Sequence, residues 1–155
     1  MKTKPPKNWW VKISDFGLSK QIVQQLENPS SVKGTSGYMA PELYGFGTDL
    51  DASSVDWFAA YMWSVGAMLF FSITRQTAFQ NHSELAAYAS ASGTHPFSAL
   101  RQASIENLGK DFISSLMSAA PNKRLTVSKA RQHSWVNGNT RLMLAISTSE
   151  PQRYV

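Results

Sequence analysis

Residues 34–42 read Gly34-Thr35-Ser36-Gly37-Tyr38-Met39-Ala40-Pro41-Glu42. The proline sets a helix start, because its fixed φ and missing N–H suit the first helical position; a short helix over Pro41 to Tyr44 is predicted. Upstream stands Val11-Lys12-Ile13-Ser14-Asp15-Phe16-Gly17-Leu18-Ser19-Lys20. Trp10 to Ile13 are aromatic and β-branched and read as a short strand, which breaks at Asp15-Phe16-Gly17. Alone the tripeptide reads as an ordinary turn; a carboxylate at a strand end is also one way to offer Mg²⁺ a hard oxygen ligand. Between the two motifs, Leu18 to Gly37 is polar, with Asn28-Pro29-Ser30-Ser31 at its middle. That is a long loop, and ordered loops of such length are often functional.

Downstream the pattern turns helical. Val55 to Thr74 is apolar nearly all round and is expected to be buried on most faces. Its Ser64, Gly66 and Ser72 interrupt the apolar run, so a core helix suits it better than a membrane span. Ser83 to Ala91 is amphipathic through Leu85, Tyr88 and Ala89, and Gly93-Thr94-His95-Pro96 ends it. Ser104 to Ser118 repeats the helical spacing through Ile105, Leu108, Phe112 and Leu116. Thr126 is a candidate N-cap for a short helix ending near His133. Asn137 to Val155 is polar and weakly patterned, and no internal repeat is present.

Composition narrows the function classes. The chain has 155 residues, 43% hydrophobic and 12% aromatic, enough for one core. Net charge is +5, yet Lys2, Lys4 and Lys7 lie at one end and Lys123, Arg124, Lys129 and Arg131 near the other. No basic stripe carries interleaved aromatics, so no nucleic-acid partner is expected. There is no cysteine, which removes disulfides, thiolate catalysis and Cys-ligated zinc. It also agrees with an intracellular setting, cytoplasmic or nuclear. Residues 1–10, MKTKPPKNWW, do not form a signal peptide. His82, His95 and His133 have no metal-like spacing, and Asp49 and Asp51 read as solvated loop residues.

The two motifs together resemble the activation segment of a eukaryotic protein kinase, which runs from an Asp-Phe-Gly to an Ala-Pro-Glu. The resemblance continues through Met62-Trp63-Ser64-Val65-Gly66, similar to the family's central helix, and Arg75-Gln76-Thr77-Ala78-Phe79, similar to the turn after it. Phe112 to Met117, Pro121-Asn122-Lys123-Arg124-Leu125-Thr126 and His133-Ser134-Trp135-Val136 resemble its closing helices. The resemblance spans about Trp9 to Val136. Gly34-Thr35 leans toward serine/threonine kinases, and the closing pattern is most similar to the calmodulin-dependent-kinase-like branch.

This resemblance implies a mainly α fold: a partial kinase C-terminal lobe with a short N-terminal β segment. It divides the chain into an atypical segment 1–8, a partial kinase domain 9–136 and a tail 137–155. It implies ATP and Mg²⁺ as cofactors, with Asp15 the metal ligand that bridges to phosphate, Phe16 a packing residue and Gly17 a hinge. Thr35 matches the threonine that bonds the catalytic-loop Asp. Ala40, Pro41 and Glu42 close the segment, and Glu42 with Arg124 matches a buried structural ion pair. Ser30 and Ser31 sit where activation loops are phosphorylated; as solvated loop serines they need no such role. A protein substrate or partner is implied, and no membrane.

Three departures bear on activity. The sequence carries no Gly-rich phosphate loop, no phosphate-anchoring Lys with its partner Glu, and no His-Arg-Asp catalytic loop. The family's Asp before the central-helix Trp is Tyr61, with Asp56 five residues earlier. The usual Asp before the Pro-x-x-Arg run is Ala120. The expectation is a serine/threonine kinase catalytic-domain fragment that is inactive by itself, such as a gene model lacking upstream exons would give. The alternative is a pseudokinase-like binding or scaffold module. Apolar surface near Trp9, Trp10, Val11 and Phe16 is expected to make the isolated chain prone to associate.

Overall fold

The computed structural model describes residues 34–47, 55–90 and 98–138. The expected strand at Trp10–Ile13, the Asp15-Phe16-Gly17 motif, Ser30, Ser31 and the tail beyond 138 lie outside the described residues. Those described are helical and contain no strand. A 3-10 turn at Pro41–Tyr44 leads to α1 (Trp57–Thr74), α2 (His82–Ala89), α3 (Ser98–Gln102) and α4 (Asn107–Leu116). A second 3-10 turn at Pro121–Lys123 precedes α5 (Val127–Gln132), and a last helical turn spans 134–138.

Side-chain caps fix several boundaries. Asp56 accepts from the Ala59 N–H and starts α1 at Trp57, two residues after the sequence pattern suggests. Asn81 caps α2 through the Glu84 N–H, while the Glu84 carboxylate reaches back to the Gln80 N–H at 2.8 Å. Thr126 accepts from the Lys129 N–H, as expected of an N-cap. The segment 98–106 departs from expectation. Ser98–Gln102 forms a helical turn of its own, and α4 starts at Asn107 rather than Ser104. Glu106 sets the boundary: its backbone is extended (φ −59°, ψ 152°), and its carbonyl accepts the first helical bonds from the Gly109 and Lys110 N–H groups.

Helix α1 is the hub, packing on α4, α3 and the Pro121 turn. Its inner face carries Ala59, Ala60, Met62, Trp63, Gly66, Ala67 and Phe70. Trp63 stacks on Phe79 at 6.0 Å between centroids and lies 6.2 Å from Tyr88. Ile113, Met117, Leu85 and Leu100 complete that core. A second cluster joins Met62, Phe112, Leu116 and Ala130, with Trp135 packed against it.

The opposite face of α1 corrects the expectation of burial on most sides. Phe58, Tyr61, Val65, Met68 and Phe71 are 37–61% exposed. An evenly apolar helix has no polar side to announce which face stays open, so its partners alone decide. By length and composition α1 could cross a membrane; its inner face is spent on the core described above.

At the C-terminal end of α1, Arg75 takes a left-handed conformation (φ 59°) and its N–H bonds the Phe71 carbonyl. A glycine ordinarily ends a helix in this way.

Gly66 marks the closest approach of α1 to α4. A Cβ there would lie 2.6 Å from Met117 Cγ and 2.9 Å from Leu116 Cβ. Gly66→Ala therefore overpacks the joint, and denaturant unfolding should register a loss of about 1–3 kcal/mol. An unchanged midpoint would mean that α1 and α4 can move apart freely.

Candidate functional site

Residues 34–44 form a ledge tied to the helical body at both ends. The Tyr38 N–H donates to the Thr35 carbonyl at 3.2 Å and closes a turn through Ser36 and Gly37. Gly37 has φ 90°, a region that suits glycine. Gly34 leaves room for Met39 to fold back, since a Cβ would lie 2.7 Å from its Sδ. Ser64 Oγ donates to the Tyr38 carbonyl at 2.8 Å, and the Tyr38 ring meets Phe71 edge-on at 6.3 Å. The serine that interrupts the apolar run of α1 is thus a tether, a role its sequence context did not signal.

Ala40 is fully buried and leads into the Pro41 turn. Gly45, at φ 76°, ends that turn by donating to the Glu42 carbonyl. The turn buries the Glu42 carboxylate directly against Arg124; the two side chains are 2% and 1% exposed.

Arg124 makes five hydrogen bonds. Nη1 donates to Glu42 Oε1 at 2.5 Å and to the Ala59 carbonyl at 3.1 Å. Nη2 donates to Glu42 Oε2 at 2.7 Å and to the Ala119 carbonyl at 3.0 Å. Nε donates to the Ser118 carbonyl at 2.7 Å. A guanidinium has five N–H donors, so its capacity is filled. The plane also stands 5.0 Å from the Trp63 ring centre, a cation–π placement. The sequence-predicted pair is therefore real, and it also collects α1 and the loop after α4.

Thr35 and Ser36 are exposed on the outer side of this ledge. Ser36 Oγ stands 3.4 Å from His82 Nε2 at the start of α2. The His82 ring packs on Tyr44 at 4.6 Å, and Tyr44 stacks on Phe46 at 5.6 Å. Ser36 and His82 do not make a catalytic pair: the distance is long, and no carboxylate among the described residues orients the imidazole. Neither do the described residues contain a group of three or more metal-binding side chains. What the ledge offers is exposed hydroxyls and backbone on a braced support, suited to holding an extended chain.

The remaining singled-out residues take structural posts. Tyr61, where the family has an Asp, lies on the open face of α1. Asp56 is engaged as the α1 cap, with Oδ1 3.0 Å from the Ala59 nitrogen. Ala120 begins the Pro121 turn with no side-chain cap, as a methyl group must. His133 links Asp111, at 3.2 Å from Nε2, to the Trp135 N–H, which donates to Nδ1 at 3.2 Å.

Tyr88 supports the same loop by donating to the Met117 carbonyl at 2.8 Å. Burial pushes its phenol up from 10.0, against the opposing effects of the Arg124 charge and an Ala119 backbone bond. A raised folded-state value stabilises fully below the unfolded value and is lost as pH rises through it. Stability should therefore hold through neutral pH and fall above pH 10; in Tyr88→Phe this component of the alkaline loss should vanish. A second prediction concerns geometry rather than charge. Arg124→Lys keeps the charge but cannot reproduce the planar fork, so it should cost nearly as much as Arg124→Ala, about 3–5 kcal/mol by chemical denaturation. A lysine variant of wild-type stability would show that charge alone suffices.

Comparison with known proteins agrees with this geometry. The protein kinase domain family matches residues 2–136. Calcium/calmodulin-dependent protein kinase type 1 of Caenorhabditis briggsae is 32% identical over 136 residues, covering 84% of this chain and 34% of that protein. The serine/threonine-protein kinase cds1 of Schizosaccharomyces pombe is 34% identical over 127 residues, covering 81% of this chain and 27% of that protein. The chain thus spans about a third of the length of these relatives or less. Among solved structures, the crystal structure of the Rad53 kinase domain and SCD2 in complex with AMPPNP superposes with a TM-score of 0.50. Its identity is 24%, over 78% of this chain and 42% of that one, a likeness of fold. With the Glu42–Arg124 tie, the central α1 and the ordered motifs in place, the chain belongs to the protein kinase family and corresponds to part of the C-terminal lobe of a serine/threonine kinase domain.

Proposed function

We propose that this chain is the substrate-facing part of a serine/threonine protein kinase lobe, which holds a protein segment on the 34–40 ledge and does not transfer phosphate by itself. The observation that carries this reading is the ledge held to the body through Glu42 and Arg124, with Thr35 and Ser36 left exposed. The kinase family implies ATP and Mg²⁺, and Asp15 is the residue of this chain that would hold the metal. Phosphoryl transfer depends on positioning and charge stabilisation. Among these 155 residues the phosphate loop, anchoring Lys and catalytic loop are missing, so neither nucleotide nor acceptor hydroxyl has its usual support.

A second reading, a pseudokinase-like binding or scaffold module, draws on α1. In the family an Asp on this helix anchors the catalytic loop. Here Tyr61 replaces it and Asp56 is occupied in capping, so neither residue offers that anchor. Both readings make a protein segment the partner; they differ in whether nucleotide matters.

The test is a radiolabelled-ATP assay on the purified full chain with a basic protein as acceptor, together with Mg²⁺-ATP thermal shift. No incorporation is expected. A Mg²⁺-dependent rise in Tm that disappears in Asp15→Ala would support retained nucleotide contact and the first reading, whereas its absence would support the scaffold reading. Asp15-dependent incorporation would overturn the proposed inactivity.

A further inference from the structure

One exposed cation stands beside the ledge in a backbone conformation that arginine disfavours. Arg75 ends α1 at φ 59° and is the only non-glycine residue at positive φ among those described. A glycine takes this conformation freely, whereas a side chain there is strained. An outlier of this kind points to a use for the side chain.

Its placement says which use. Arg75 is bracketed by two contacts with the ledge. One helical turn before it, the Phe71 ring meets Tyr38 edge-on at 6.3 Å, and the Phe71 carbonyl accepts the Arg75 N–H at 2.8 Å. Two residues after it, Thr77 packs on the ledge so closely that a Cβ on Gly37 would lie 3.4 Å from Thr77 Cγ2. The turn between is held by the Gln76 N–H, which donates to Thr74 Oγ1 at 3.2 Å. The backbone of Arg75 is thus fixed at the rim of the 34–40 ledge, with the residue exposed.

The charge there is uncompensated. No carboxylate among the described residues forms an ion pair with Arg75. Glu42 is spent on Arg124. Glu84, at the α2 side of the ledge, accepts from the Gln80 N–H and the Asn81 amide. A guanidinium offers a carboxylate two parallel N–H donors, so an anionic side chain from outside is the partner that fits.

We propose that Arg75 is a specificity-determining residue of the ledge and that the protein segment held there carries an acidic side chain, Asp or Glu, which the guanidinium engages. This rests on the reading of the ledge as a peptide support and names the class of peptide selected.

The probe is a set of fluorescein-labelled peptides, otherwise neutral and centred on serine, in which a single Glu is walked along the sequence and Gln replaces it in the controls. Binding to the purified full chain is read by anisotropy at low salt. At one register Glu should bind about fivefold tighter than Gln, the upper range for an exposed ion pair, and the gain should fade at high salt. Arg75→Gly should bring the Glu and Gln peptides level. Glycine suits this backbone, so the variant's Tm should hold or rise. Ser36→Trp obstructs the ledge itself and should weaken every peptide, Glu and Gln alike.

Peptides that yield to Ser36→Trp but show no Glu preference, or keep that preference in Arg75→Gly, overturn the role of Arg75 and leave the ledge reading standing. Peptides that do not bind, or that ignore Ser36→Trp, overturn the ledge reading and this proposal together.

Discussion

One guanidinium organises the described part of this molecule. Arg124 joins the Pro41 turn, the start of α1 and the loop after α4 through five hydrogen bonds. Two of those bonds go to a carboxylate and three to backbone carbonyls. A buried pair with unfilled capacity is often neutral or costly, since desolvation offsets the attraction. Here the filled capacity and the Trp63 ring beneath the plane change the balance. The consequence is positional: Glu42 cannot shift without stranding a buried charge, so residues 34–44 inherit a fixed place on the body.

The pair was legible in the sequence because its two halves sit in motifs, Ala40-Pro41-Glu42 and Pro121 to Arg124. The three carbonyl partners were not, because any residue supplies a carbonyl and the fold alone decides which one points inward. The same distinction runs through the site. Thr126 as a cap and Pro41 as a helix start follow from local chemistry and occur where expected. The Ser64 tether joins residues 26 positions apart, and local pattern contains no trace of it. Within its own helix Ser64 reads as a flaw in an apolar run.

The misplaced boundary of α4 has a local cause. Helical spacing continues back to Ser104, so periodicity extends the helix too far. The competing factor is the extended backbone of Glu106, whose carbonyl takes the first helical bonds. Departures from the kinase pattern are physically consistent with one another. Tyr61 replaces a group whose loop partner the chain does not carry. Asp56 has an oxygen engaged by the Ala59 N–H.

Helix α1 sets the limit of what hydropathy can reveal. Its two sides are about equally apolar, so hydropathy cannot choose between them. Size does choose. Gly66 permits the close approach of Leu116 and Met117, and Trp63 needs the large space that Phe79 and Tyr88 frame. Those two residues point to the same inner face, and both read as core residues from their sizes alone. The outer face carries no such small residue among its large ones until Val65 and Ser72. A helix held on one side by shape, with an equally apolar and uncharged second side, has the composition of a core element with one more neighbour to meet.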